Sequence, residues 1–181
     1  MKSVAVLGCA LILAAGLAAA EVKPKIIEMD AAEGAAKDHW VAFISRLDRE
    51  GARSGSAVVA EGSAETLGTA FGLVRVDAKP KATGVDKAKF KELTEGETGA
   101  QPVLIKVSVT ADQHKKVRDT IAKYTKKEQV NTPNNVTLNF AQEVLDALGL
   151  KRPYRSGLAG SIPSQYFTDI PLFNRKKVQD S

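Results

Sequence analysis

The stretch Val103-Leu104-Ile105-Lys106-Val107-Ser108-Val109 sets apolar and β-branched residues around polar ones at every second position, and then the pattern changes. Such alternation is that of a half-buried strand. Thr110-Ala111-Asp112-Gln113 follows at once as a capping box, in which the Thr hydroxyl and the Gln amide satisfy free backbone N–H groups at a helix start. His114, Val117, Ile121 and Tyr124 then fall on one helical face. A strand running directly into a helix over 110–126 requires a fold that combines both kinds of element.

The remaining segments fill in that frame. His39 to Leu47 is rich in aromatic and β-branched residues and reads as a strand; 48–54, with Gly51, is a turn. Residues 56–60 and 70–76 are further strands. Residues 77–101 are Lys-rich, with Pro80, Gly84, Gly96 and Gly99, and read as an exposed excursion with a short helix at 85–93. Phe140, Ala141, Val144, Leu145 and Leu148 make one stripe of a helix over 137–148, which Gly149 and Pro153 close. Residues 150–173, with Pro153, Pro163 and Pro171, are expected to wrap the core as an irregular arm. The fold class is α+β: an antiparallel sheet of four to five strands packed with two main helices.

The N-terminus reads separately. Lys2 precedes an apolar or small-residue run from Val4 to Ala20, and the charged Glu21-Val22-Lys23 follows. That is the pattern of a secretory signal cut after Ala20. Cys9 in Val6-Leu7-Gly8-Cys9 would suit a lipid anchor, but it leaves too short an apolar region before the cut. The expected organisation is a signal peptide at 1–20, a lead-in at 21–37, one domain at 38–173 and a basic tail at 174–181. Cys9 is the single cysteine, so an exported form has no disulfide. A net charge of +5 invites a nucleic-acid reading, yet no aromatic residues interleave with the basic clusters as a stacking platform. An exported basic protein is expected to meet an anionic cell envelope instead.

The run Asn134-Asn135-Val136-Thr137-Leu138-Asn139-Phe140, continuing through Val144-Leu145 to Gly149-Leu150, resembles the nucleophile helix of the NlpC-type papain-like superfamily, in its circularly permuted branch. There the helix opens Asn-Cys-x-x-Phe, and the catalytic histidine comes earlier, at the start of a strand. Asp38-His39-Trp40-Val41-Ala42-Phe43 is similar to that element. The resemblance covers about residues 38–172 and implies a papain-like fold with His39 as general base facing position 137. Aligned on Phe140, the cysteine position holds Thr137; aligned on the Asn pair, it holds Val136, and neither is a thiol. A thiolate is reached by the pKa shifts a helix N-terminus and an imidazolium supply; a threonine hydroxyl is not.

His39 and Thr137 are therefore the candidate catalytic residues, expected to be vestigial, with Trp40 and Asn135 lining the former substrate groove. Read without the resemblance, His39 packs beside Trp40, His114 is a partly buried helix residue, and Thr137 caps its helix. Two histidines without HExxH-like spacing give no metal site, and no cofactor signature is present. The leading expectation is an exported, catalytically degenerate papain-like domain that binds a ligand or protein partner in the periplasm or cell envelope, without nucleic acid and without stable membrane insertion. An active amidase or acyl-transfer hydrolase using Thr137 and His39 is the alternative, and a structural or inhibitory envelope protein of unrelated fold is a further one.

Overall fold

The computed structural model describes residues 22–33, 38–46, 57–63, 67–73, 80–95, 101–126, 132–155 and 162–179. The 1–20 segment, the whole 48–54 turn, and Val74 and Val76 lie outside them. Six strands are present among the described residues: β1 (Lys25–Asp30), β2 (His39–Ser45), β3 (Ala57–Ser63), β4 (Leu67–Leu73), β5 (Lys81–Gly84) and β6 (Val103–Val109). Four helices accompany them: α1 (Lys87–Thr94), α2 (Ala111–Lys126), α3 (Pro133–Ala147) and α4 (Pro163–Phe173), with a 3-10 turn at Arg175–Lys177. The sheet order is β1-β6-β2-β3-β4-β5.

The class is α+β, but the sheet is neither four- to five-stranded nor purely antiparallel. β1 runs parallel to β6, Lys25 opposite Val103 and Asp30 opposite Ser108. Residues 25–30, expected in a loose lead-in, thus form an edge strand, and the 77–101 excursion supplies β5 as well as α1. The basic tail is also tied in: Met29 bridges Val178, and the Gln179 amide donates to the Glu28 carbonyl at 3.0 Å.

β2 is buried on both faces because helices cover both sides of it, which explains its unbroken apolar run. Val41 and Phe43 join Val59, Phe71, Ile105 and Val107 under α2, α3 and α4. Trp40, Ala42 and Ile44 turn to the other face, beside Leu93 of α1. Phe71, Tyr124 and Phe140 form an aromatic knot between β4, α2 and α3, with ring centroids 4.5–5.7 Å apart. Burying a ring such as Phe140 contributes about 2–3 kcal/mol.

The ends of the helices follow local chemistry. The expected capping box opens α2: the Gln113 amide donates to Thr110 Oγ1 at 3.2 Å, and the Thr110 amide donates to Gln113 Oε1 at 3.0 Å. Gln113 Nε2 then reaches the Leu148 carbonyl at 3.0 Å and joins the start of α2 to the end of α3. α3 begins at Pro133 rather than at 137, because a proline at the first helical position loses no intrahelical bond. Thr137 therefore sits in the second turn and caps nothing. Gly149, at φ +67°, closes α3: the Leu150 amide donates to the Leu145 carbonyl at 2.9 Å and the Gly149 amide to the Asp146 carbonyl at 3.0 Å.

Residues 163–173, expected to be irregular, form α4. Pro163 takes its first turn and Pro171 falls near its end, so neither breaks it. The buried Asn174 side chain finishes α4 by donating to the Ile170 carbonyl at 2.9 Å, and it also exchanges hydrogen bonds with the Lys151 backbone N–H and carbonyl.

Candidate functional site

Because residues alternate along a strand, His39 and Trp40 face opposite sides of the sheet. Trp40 packs edge-on against Phe90 of α1 at 5.3 Å, and its indole N–H donates to the Ser63 carbonyl at 3.2 Å. His39 points to the side of α2, where its ring stacks on His114 with centroids 4.7 Å apart and planes 20° from parallel. Its Nδ1 is buried without a hydrogen-bond partner.

His114 is held in turn by a carboxylate that the sequence reading did not single out. His114 Nε2 lies 2.5 Å from Glu61 Oε2, and the two side chains are 12% and 4% exposed. Depending on where the proton lies, the contact is an ion pair or a short hydrogen bond. Glu61 Oε1 accepts the Thr69 backbone N–H at 2.9 Å. The strand pair is shaped around this carboxylate: a Cβ at Gly68 would stand 2.3 Å from Glu61 Oε1 and 2.7 Å from the Glu61 carbonyl oxygen. The signal for Glu61 was a carboxylate continuing the otherwise apolar run Ala57-Val58-Val59-Ala60. A single charge at a strand end does not by itself reveal its burial, which here comes from the packing of α2.

A carboxylate holding an imidazole fixes its tautomer and orientation and stabilises its cation.

Glu61 also forms the inner wall of an open cleft of about 320 Å³. Ala82, Ile121 and Ala122 give it apolar surface, while Thr69, Arg118 and Lys126 supply polar groups. Neither Arg118 nor Lys126 has a carboxylate partner among the described residues.

The structure does not join the other candidates to this cluster. Thr137 is fully buried in the core, and its Oγ1 has no hydrogen-bond partner, so no bond links it to His39. The helix pairing explains the separation. Tyr124 packs on Phe140 and bonds Glu143 at 3.0 Å, whereas Gln113, ten residues or more earlier on α2, meets Leu148. α2 and α3 are thus antiparallel, and His114 with His39 lies toward the end of α3 away from Thr137. At 1.5 Å per residue, the offset along α3 from Thr137 to Leu148 alone is about 16 Å. Asn135 lies on the exposed side of α3, where Arg155 Nη2 donates to its Oδ1 at 3.0 Å and Arg155 Nη1 to Asn139 Oδ1 at 2.8 Å. Trp40, on the opposite sheet face, shares no groove with it. No group of three or more His, Cys, Asp or Glu among the described residues is arranged to hold a metal. No helix among the described residues is long and apolar enough to cross a membrane.

No protein-family model, curated protein or solved structure matches this chain.

Proposed function

We propose that this chain is an exported envelope protein that binds a ligand without cleaving it, and that the cleft beside Glu61 is its binding site. The observation that carries this reading is the burial of Thr137. A hydroxyl enclosed in the core, far from the imidazole cluster, meets neither a substrate nor a general base. The papain-like resemblance enters the proposal through the order of elements, strand 39–45 first and helix 133–147 late. Its catalytic pair does not enter. The cleft combines an apolar wall with two cations that have no carboxylate partner among the described residues, which suits a small ligand whose carboxylate meets Arg118 and Lys126 while its body lies on Ala82 and Ile121. Peptide fragments of a bacterial cell wall have that chemistry.

The contact of Glu61 with His114 favours a second reading, an amide or ester hydrolase in which the held imidazole takes a proton. One experiment separates the two. Purified protein is titrated with cell-wall stem peptides in a calorimeter, and the mixture is then examined for cleavage by mass spectrometry. Binding that weakens at least ten-fold in Arg118→Ala/Lys126→Ala, with the peptides intact, supports the binding reading. Cleavage abolished by His114→Ala would replace it with the hydrolase, and no heat of binding would remove the cleft as a site for such peptides.

A further inference from the structure

The surface where the end of α3 meets the end of α4 has a composition unlike the rest of the molecule. Tyr154 is 76% and Leu172 56% exposed, two of the three large apolar side chains that stand open to solvent among the described residues. Tyr154 contacts Phe173 edge-to-face at 5.2 Å. The paired hydrogen bonds between Asn174 and the Lys151 backbone, at 2.8 and 3.0 Å, hold segment 151–155 against the end of α4. Lys151 therefore lies beside Asn174, and Tyr154 beside Phe173, next in the chain to Leu172, Arg175 and Lys176.

The charge here is one-sided. Lys151, Arg175 and Lys176 are exposed and have no carboxylate partner among the described residues. Arg155, nearer the start of α3, is held by two neutral amides, Asn135 and Asn139, and has no carboxylate partner among the described residues. Arg152 is different, because Asp146 neutralises it. Asp169, half-buried one turn before Leu172, is an acid of the same helix.

We propose that this patch docks the protein on the surface of an anionic lipid bilayer. Tyrosine and leucine left open to water, ringed by lysine and arginine, match the interface of a bilayer: the rings and Leu172 enter the headgroup boundary and the cations meet lipid phosphates. A soluble polyanion would use the cations and leave Leu172 without a role. The attachment is peripheral, since it uses side chains at the ends of two helices and no spanning segment. It is independent of the ligand cleft, which lies between α2, β4 and β5.

The test is flotation of the purified protein with vesicles of phosphatidylcholine alone or containing phosphatidylglycerol. Binding is expected on the anionic vesicles at low salt, with little on the neutral ones, and should fall steeply as salt is raised. Lys151→Gln/Arg175→Gln/Lys176→Gln should lower the partition coefficient on the order of a hundred-fold, at roughly five-fold per charge. Tyr154→Ser/Leu172→Ser should lower it at least ten-fold, and both variants, being altered only at exposed side chains, should melt as the parent does. In Tyr154→Trp, emission from position 154 should shift to the blue on anionic vesicles and be quenched by brominated acyl chains. Equal binding to neutral and anionic vesicles, or an unshifted Tyr154→Trp, would overturn the proposal. So would a Tyr154→Ser/Leu172→Ser variant that binds like the parent, which would point to a soluble polyanion such as nucleic acid.

Discussion

Glu61 of β3 and His114 of α2 are 53 residues apart in the chain and 2.5 Å apart in space, with both side chains nearly closed to solvent. Removing one partner leaves the other as a buried group with part of its bonding lost. His114→Ala is expected to destabilise the fold by about 3–5 kcal/mol, as breaking a buried pair does. Glu61→Gln, which keeps an acceptor for the Thr69 N–H, should cost less. Urea denaturation of the two variants beside the parent checks the order; equal losses would mean that the carboxylate charge itself is what His114 needs.

Thr137→Val should be neutral or stabilising by about 1 kcal/mol, because it replaces a buried unpartnered hydroxyl with a methyl of the same shape. Thr137→Ala should instead destabilise by leaving a small cavity. Thermal melts decide this, and a Thr137→Val variant that loses more than about 1 kcal/mol would reveal a hydrogen bond for the hydroxyl in solution.

Asn174→Ala removes three hydrogen bonds, one buried and two partly buried, and leaves the Ile170 and Lys151 carbonyls to find other donors. A loss of about 2–4 kcal/mol is expected, taking 0.5–1.5 per bond. Hydrogen exchange should show the effect first at the end of α4 and in 151–155.

Stability should fall in strong base. Burial, then the hydrogen bond and charge of Glu143, holds the Tyr124 phenol above its ordinary range, and burial does the same for Tyr166. In the unfolded chain these phenols ionise at about pH 10. Above that pH the unfolded state carries fewer protons than the folded one, so the stability they contribute is complete below about pH 10 and is lost as pH rises further. Urea midpoints measured between about pH 9 and pH 11 should decline, and Tyr124→Phe should flatten the decline. An identical slope in Tyr124→Phe would assign the effect to other groups.

Local chemistry made part of this fold legible. Strand 103–109 and the Thr110–Gln113 cap were readable because each signal lies within a few consecutive residues. β1 was not, since Lys25–Asp30 becomes a strand through pairing with β6, far along the chain. α4 was hidden by Pro163 and Pro171, which break a helix in its middle and are tolerated at the two places where they stand. At the candidate site, His39 could be placed at the start of its strand. Its neighbours could not, because Glu61 and His114 reach it through strand register and the packing of α2, neither of which a one-dimensional pattern records.

The pairing of β1 also has a temporal side. Its inner neighbour, β6, is made more than seventy residues later, and Gln179, whose Nε2 bonds Asp30 at 2.8 Å, comes 149 residues after its partner. Among the described residues the pairings that hold β1 are thus long in sequence, and such contacts close slowly because the intervening chain must be ordered first. A ribosome releasing this chain delivers β2, β3 and β4 as a meander that can pair as it emerges, while Ile26, Ile27 and Met29 wait. Of the described strands β1 is made first, yet it is secured only once β6 has been made, and during that interval it stays open to a chaperone or to another copy of itself.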